Sequence, residues 1–458
     1  MPTKQTHIIS LIITGLLMSG CIMRTDFEAP NIELPQAWQH SDSSNEPVTI
    51  NRWWTRFNDP KLNQVIIDVL ATNNDLAMAT LTLHQARLQA NLSRDDFYPD
   101  TNINAAGDKS KLLDSGQTST NYSANIGVSY ELDLWGRVQA AADQTKWTAM
   151  ATQQDREATA QSLVATTATL YWQIGYLNDR LSLGQLNIKA AEDSLTMTQN
   201  QYINGAISPV NVLQAKRILL SRETTQSQYR QQLVESQNAF AILFNQLPQQ
   251  DNHLNNSLPD NTLPKVAVGI PSDLLVRRPD VKSKLFELKS ALASKDQVNA
   301  SYMPTLTLTG ALGGSSDALK DLLSDPIGTL GADLVLPFIQ WNEMSLNNEI
   351  AKIQYQSAII DYRQTLFNAF NDVNNALSAR QQLSIQADKL LEQYQSSVAL
   401  LKIYDNQYIN GALEFKDLLD AQSDERDDKA SLLENRFNQY VALATLYQAL
   451  GGDDVMKL

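Results

Sequence analysis

Cysteine is almost absent from this chain. Its 458 residues contain one, Cys21, so no disulfide can form within a single copy. Histidine is nearly as scarce. His7, His40, His84 and His253 are scattered, and nothing has the convergent four-ligand spacing of a structural zinc site. Positive charge is in deficit, with 36 Lys and Arg against 50 Asp and Glu and a formal charge of −14. That balance excludes a nucleic-acid binder, which needs a basic surface to release counterions. Mean hydropathy is −0.29, which excludes a bundle of transmembrane helices. A glycine-rich phosphate loop, a metal triad and a free nucleophilic cysteine are all missing. The chain is expected not to be an enzyme and to need no cofactor.

Proline is present but unevenly placed. None occurs between Pro99 and Pro209, and none follows Pro337. A proline costs a helix interior about 3 kcal/mol. Two proline-free stretches of this size predict long helices broken by few turns.

The apolar run from Ile8 to Met18 follows Lys4. It is shorter than the roughly 20 apolar residues a membrane-spanning helix needs, and it fits the core of a secretory signal peptide. Leu17-Met18-Ser19-Gly20-Cys21 resembles a bacterial lipobox, with Met18 where Leu is usual. Residues 1–20 are therefore expected to be a lipoprotein signal peptide and Cys21 the acylated N-terminus. A plain signal peptide with an incidental cysteine is the alternative. Acyl chains contribute about 0.8 kcal/mol per buried CH₂, so several of them anchor firmly. Ile22 in place of Asp favours, by resemblance to lipoprotein sorting, the outer membrane.

The chain is written twice. Tyr202-Ile203-Asn204-Gly205-Ala206 recurs as Tyr408-Ile409-Asn410-Gly411-Ala412, 206 residues later. Near the same offset Tyr98-Pro99 matches Met303-Pro304, and Trp135 matches Trp341. Each unit reads as helix, two strands, long helix, turn, helix. We place a tether and belt segment at 21–60, the first repeat at 61–247, a belt linker at 248–280 and the second repeat at 281–458.

Ala124, Ile126, Val128, Tyr130 and Leu132 alternate with Asn125, Gly127, Ser129 and Glu131. Period two marks a strand with one apolar and one polar face. Leu330 to Phe338 alternates likewise, as do Thr305, Thr307 and Thr309 with Leu306 and Leu308; Thr101 to Gly107 is weaker. Four strands of roughly ten residues are long enough to cross a membrane when tilted. Four cannot close a barrel, and open edges are not tolerated in lipid, so several chains must pool their strands. A small soluble sheet is the alternative.

Leu163, Leu170, Ile174, Leu177, Leu181, Ile188 and Leu195 form a heptad-like seam in a polar surround. A continuous helix from Arg137 to Asn200 would run about 95 Å at 1.5 Å per residue, with Gly175 and Gly184 expected to weaken or bend it. At Asn204-Gly205 and Asn410-Gly411 the chain must turn, since glycine ends helices in the left-handed conformation without steric cost. Pro209 can open the next helix, and Glu414 is well placed near the second one's positive end.

Trp53-Trp54, Phe57-Asn58-Asp59-Pro60, Asn73-Asn74-Asp75-Leu76, Glu131 to Arg137, and above all Pro271-Ser272-Asp273-Leu274-Leu275-Val276-Arg277-Arg278-Pro279-Asp280 carry a resemblance. Together they resemble the TolC-like outer-membrane factors of tripartite efflux and type I secretion, in their lipidated branch. The resemblance implies a mainly α fold with a transmembrane β-barrel. It implies a homotrimer with a twelve-stranded barrel, four strands per chain, and a periplasmic α-helical tunnel. A periplasmic adaptor would dock at the Asn204-Gly205 and Asn410-Gly411 turns, and an inner-membrane pump of RND or ABC type would complete the assembly.

By the same resemblance the tunnel closes at inward-pointing acids, which match Asp417 and Asp420 here. Their spacing of three puts both on one helical face, and rings of carboxylates bind cations. Lys416 is expected to point to another face. Asn211 and Gln214 hold the matching places in the first repeat. Tyr408 matches a tyrosine whose hydrogen bonds hold the tip closed, although Tyr202 stands at the equivalent place and packing of the turn is the other role for it. A solvated helix face is the alternative for the two acids. Arg277-Arg278 fits anion binding or a structural salt bridge, and Trp53-Trp54 a carbohydrate platform or packing in the belt. The expected function is a passive exit duct for drugs or small toxic compounds. A type I protein or peptide secretion channel is the alternative, and a trimeric coiled-coil adhesin or scaffold the rival of another class.

Overall fold

A computed structural model of the chain describes residues 24–33, 35, 37, 38, 52–248, 257–266 and 277–452. The segment 1–20, Cys21, parts of the belt linker and Pro271 to Val276 of the long motif lie outside the described residues.

The first helical element is a 3-10 turn, Trp53–Phe57. Then follow α1 (Pro60–Thr72), α2 (Asn74–Asp95), β1 (Asp100–Lys111), β2 (Thr118–Leu132), α3 (Arg137–Ile203) and α4 (Pro209–Leu243). The series repeats as α5 (Pro279–Ser301), β3 (Thr305–Ser316), β4 (Ile327–Val335), α6 (Trp341–Ile409) and α7 (Phe415–Ala449). The long helices α3 and α6 have 67 and 69 residues, and α4 and α7 have 35 each. Ile203 and Ile409, Pro209 and Phe415, and Leu243 and Ala449 each stand 206 apart, so the written duplication is a structural one. Among the described residues no helix is long and apolar enough to cross a membrane.

The chain divides into two compact units, each drawing segments from both repeats. The first includes residues 81–153 and 283–364. Its centre is an antiparallel sheet in the order β1-β2-β3-β4. The register pairs Ile103 with Ile126, Ile126 with Leu312, Tyr130 with Leu308, and Leu308 with Ala332. Directly opposed residues share a face. One face therefore carries Ile103, Ile126, Val128, Leu308, Leu312, Leu330 and Leu334, and the other Asn102, Asn125, Ser129, Thr307, Thr309 and Asp333. The apolar face is bare: Ile103 is 78% exposed and Leu330 95%.

β4 is shorter than its alternation suggests. The pattern runs on to Phe338, but the strand stops at Val335 and Pro337–Ile339 form a 3-10 turn. Pro337 has no N–H to give to a ladder.

The Glu131–Arg137 stretch turns strand into helix by a set of local bonds. Asp133 accepts from the Val138 and Gln139 amides at 3.1 and 2.9 Å, capping α3. Gly136 takes φ +79°. Arg137 grips Glu131 with two bonds, 3.0 and 2.7 Å. The Trp135 indole donates to the Pro304 carbonyl at 2.8 Å, tying the two repeats together there.

The second unit holds residues 33–80, 154–282 and 365–458. Its core is aromatic. Trp53 stacks on Tyr447 at 5.1 Å, and Phe57 lies 4.8 Å from Trp172, which lies 4.9 Å from Tyr440. Trp53 and Trp54 are 2% and 1% exposed, so they pack and cannot offer a sugar platform. Asp59 caps α1 through the Lys61 and Leu62 amides and accepts the Tyr171 hydroxyl. Asn73 caps α2 through Asp75 and Leu76 and donates to the Leu243 carbonyl.

Gly175 and Gly184 do not interrupt α3, contrary to the sequence expectation. Both are sites of close approach. A Cβ on Gly175 would stand 2.9 Å from the Ser257 carbonyl carbon and oxygen, and one on Gly184 would stand 2.1 Å from Gln226 Oε1. The glycines make room for a neighbour while the helix continues through them.

Candidate functional site

The helix ends at Ile203 and Ile409 are built alike. Gly205 N–H donates to Tyr202 O at 2.9 Å and Ala206 N–H to Gln201 O at 2.9 Å. Gly411 and Ala412 repeat those bonds to Tyr408 and Gln407 at 3.0 and 2.8 Å. This is the paired bonding of a Schellman cap, with Gly205 at φ +73° and Gly411 at φ +70°. Asn204 and Asn410 each donate through Nδ2 to the carbonyl four residues back, at 2.8 and 2.7 Å. Ile203 and Ile409 are 78% and 72% exposed. Each turn thus presents apolar side chains on a backbone that can satisfy itself.

The next helices differ. Ser208 caps α4 by accepting from the Val210 amide, with Pro209 at the first helical position. Glu414 is the N-cap of α7 but makes no side-chain capping bond. Where α4 has Pro209, α7 has Phe415, and Tyr408 packs on that ring at 5.2 Å. The pairing has no counterpart in the first repeat.

Asp417 and Asp420 lie in the first turns of α7, Asp417 half-buried and Asp420 exposed. Lys416 does not point elsewhere: its ammonium pairs with Asp420. The two are four apart, and residues at that spacing are neighbours on a helix surface. Hydrogen bonding to Asp420, then attraction to it, holds the Lys416 ammonium above the usual lysine range. Neutralisation by Lys416 is the element the sequence reading missed, although the spacing was there to be read.

Above this turn α7 is tied to three other helices. Arg222 on α4 grips Asp427 at 3.1 and 2.9 Å and reaches Ser423 at 3.0 Å. Gln393 and Ser397 on α6 both donate to Asp428. Arg426 donates to Asn187 of α3 at 2.6 Å, and burial, aided by the charge of Arg222, lowers its pKa. Sequence gave no signal for these ties, whose partners stand up to 239 residues apart.

Arg278 resolves the other open motif. It meets Asp280 at 2.6 Å, Asp372 at 3.1 Å and the Ala449 carbonyl at 3.2 Å, with its side chain 11% exposed. Its donors are engaged within the chain, as a structural salt bridge requires. Among the described residues no group of three or more His, Cys, Asp or Glu could hold a metal ion.

Residues 65–246 and 270–452 match the family described as outer membrane efflux protein. The two matches fall on the two repeats. Toxin and drug export protein A of Aggregatibacter actinomycetemcomitans is 28% identical over 445 residues, covering 96% of each chain. The antibiotic efflux pump outer membrane protein ArpC of Pseudomonas putida is 28% identical over 461 residues, covering 97% of this chain and 95% of its own. The open-state MtrE outer membrane channel of Neisseria gonorrhoeae superposes with a TM-score of 0.85 at 29% identity, covering 94% of this chain and 98% of the other.

Proposed function

The chain belongs to the outer membrane efflux protein family, and from that premise we propose that it is the passive outer-membrane exit duct of a tripartite efflux system. The observation that carries this reading is the sheet. It has two open edges, β1 and β4, and its apolar face is exposed. Lipid is the solvent that such a face suits, and open edges in lipid must be paired. Three copies give twelve strands, with the polar face of Asn102, Ser129, Thr307 and Thr309 turned to a water-filled lumen. The helices carry the channel into the periplasm. An adaptor docks at the Asn204-Gly205 and Asn410-Gly411 turns, and an inner-membrane pump supplies the energy.

Small toxic compounds are the cargo we favour, because the relative ArpC is named for antibiotic efflux. Export of a protein toxin is the second reading, supported by the relative named for toxin and drug export. An adhesin is set aside by the family.

The aperture is assigned to Asp417 and Asp420, with Tyr408 bracing the turn through Phe415. The support is their place at the start of α7, one turn from the tip, and the neutral Asn211 and Gln214 in the first repeat. Cys21 is assigned a lipid anchor on the lipobox-like sequence before it. Labelled palmitate should enter the wild-type protein and not Cys21→Ala.

Single-channel conductance in planar bilayers tests the duct. Wild type should show a small, cation-selective conductance, and Asp417→Ala/Asp420→Ala a larger one. Equal conductances would remove the aperture assignment and leave the duct. Folded trimer without any channel would remove the duct.

A further inference from the structure

The sheet has one end that carries helices and one that carries only loops. β1 and β3 run the same way, so the β1–β2 turn and the β3–β4 loop lie together at the end away from α3 and α6. Both expose leucines. Leu112 and Leu113 are 63% and 92% exposed in the first, and Leu319 and Leu323 are 66% and 74% exposed in the second. Each loop places a lysine shortly before a leucine pair and an aspartate after it: Lys111-Leu112-Leu113-Asp114, and Lys320 before Leu322-Leu323 and Asp325.

Gly314 shows which way the longer loop goes. It pairs with Ala124 and alternates with Leu312, so its missing side chain belongs to the apolar face. A Cβ there would stand 2.3 Å from the Leu322 carbonyl oxygen. The loop backbone therefore crosses the apolar face of the sheet, on the side of Leu312 and Leu330. A plug entering a lumen would cross the opposite face, that of Asn125 and Thr309.

We infer that these two loops are interfacial anchors, which seat Leu113, Leu319 and Leu323 in the outer leaflet with Lys111 and Lys320 at the level of the lipid phosphates. The inference rests on the reading that the sheet spans a membrane. The occupant is lipid because the longer loop lies over the apolar face at Gly314, beside Leu312, and the exposed leucines of both loops stand at that end of the face, past Lys109 and Lys111, which the register places on it too. Lysines beside buried leucines suit a phosphate layer, since their stems stay apolar while the charge reaches out. Asp114, Asp317 and Asp321 are exposed, and this placement sets them on the water side of the phosphate layer. The anchors would fix the depth of the barrel at its open end.

Leu113→Cys, Leu323→Cys and Leu330→Cys, each labelled with bimane in full-length protein, test this in phosphatidylcholine/phosphatidylglycerol vesicles. Wild type carried through the same labelling gives the background from Cys21. Nitroxide lipids spin-labelled near the headgroup should quench the two loop positions more than aqueous iodide does. Nitroxide deep in the acyl region should quench Leu330→Cys. Loop labels quenched by iodide alone, or by neither reagent, while Leu330→Cys stays lipid-quenched, would overturn the anchors and leave the spanning sheet intact. If Leu330→Cys also escapes lipid quenching, the spanning reading fails and the anchors fall with it. Adding Gly314→Ala to Leu323→Cys should push the loop from the face and reduce its lipid quenching. An unchanged signal there would overturn the placement of the loop.

Discussion

Replacing Lys416 by glutamine isolates what Asp420 does. The paired side chains are 65% and 60% exposed, so the ion pair adds little to stability and the variant should fold and assemble as wild type does. The effect should appear in the pore. Each chain brings the carboxylates of Glu414, Asp417 and Asp420 and one ammonium to the start of α7, and the substitution leaves Asp420 without its partner. A monovalent cation about 4 Å from one carboxylate in water gains roughly 1 kcal/mol, or about fivefold in occupancy. Three chains around one axis compound that gain, while charges beyond about 10 Å are screened at 0.1 M salt. The cation-to-anion permeability ratio should therefore rise by roughly tenfold at 0.1 M, and the gain should shrink at 1 M, where screening acts within about 3 Å. The assay is the reversal potential across a KCl gradient in planar bilayers. Lys416→Arg keeps the charge and should match wild type. A glutamine variant with the wild-type reversal potential at low salt would refute the reasoning, because Asp420 would then lie off the ion path.

Three further outcomes follow from the geometry. Gly175→Ala meets backbone that cannot swing away, at 2.9 Å; overpacking of about 1–3 kcal/mol should exceed the helix-propensity gain of about 1 kcal/mol and lower the melting temperature. Gly184→Ala meets only the far end of Gln226 and should melt closer to wild type in the same calorimetric scan. Gly411→Ala has open space around its Cβ but keeps φ +70°, so its cost is backbone strain of about 1–2 kcal/mol, confined to the turn; amide exchange across residues 406–412 should quicken while global melting stays put. The pH dependence of selectivity follows from Lys416, whose folded pKa is raised. A raised basic group contributes below its unfolded pKa, and its pairing is lost as pH climbs through the folded value. Selectivity should stay flat from neutral to mildly alkaline pH and approach that of Lys416→Gln only above the usual lysine range.

Much of this fold could be read from the sequence because its periods are local. Ala124 to Leu132 alternates by two and is a strand; Tyr202 to Ala206 recurs at Tyr408 and caps a helix each time. Buried Leu163, Ile174, Leu177 and Ile188 lie on the seam that their spacing drew. What escaped depends on partners far along the chain. Gly175 looks like a helix weakener until Ser257 is seen lying against it. Arg222 looks like a surface charge until Asp427, 205 residues on, is found in its fork. The Lys416 pairing is different. It is local, an i, i+4 relation within one helix, and it overlaps the i, i+3 relation of the two acids on the same face.

The two repeats diverge where chemistry is needed and agree where only geometry is. The Schellman turns are the same bond for bond, and the helix ends that flank them keep the 206-residue offset. A turn that closes its own backbone bonds can be copied without regard to what surrounds it. The first turn of the following helix was not kept in common: Pro209, Asn211 and Gln214 give way to Phe415, Asp417 and Asp420. At the other end of the long helices the divergence has the opposite sense. The first repeat keeps the Asp133 cap and the Arg137–Glu131 fork, while the second has Ile339 and Glu343 at the matching places and leaves Trp341 70% exposed. A junction that is capped, forked and pinned through Trp135 is complete within one chain. A junction that exposes Phe338, Ile339 and Trp341 beside the open edge of β4 is not completed within one chain. Within the duplicated frame, then, the first repeat supplies the self-sufficient joint. The second supplies the exposed joint and the charged turn, and each repeat supplies one open edge of the sheet.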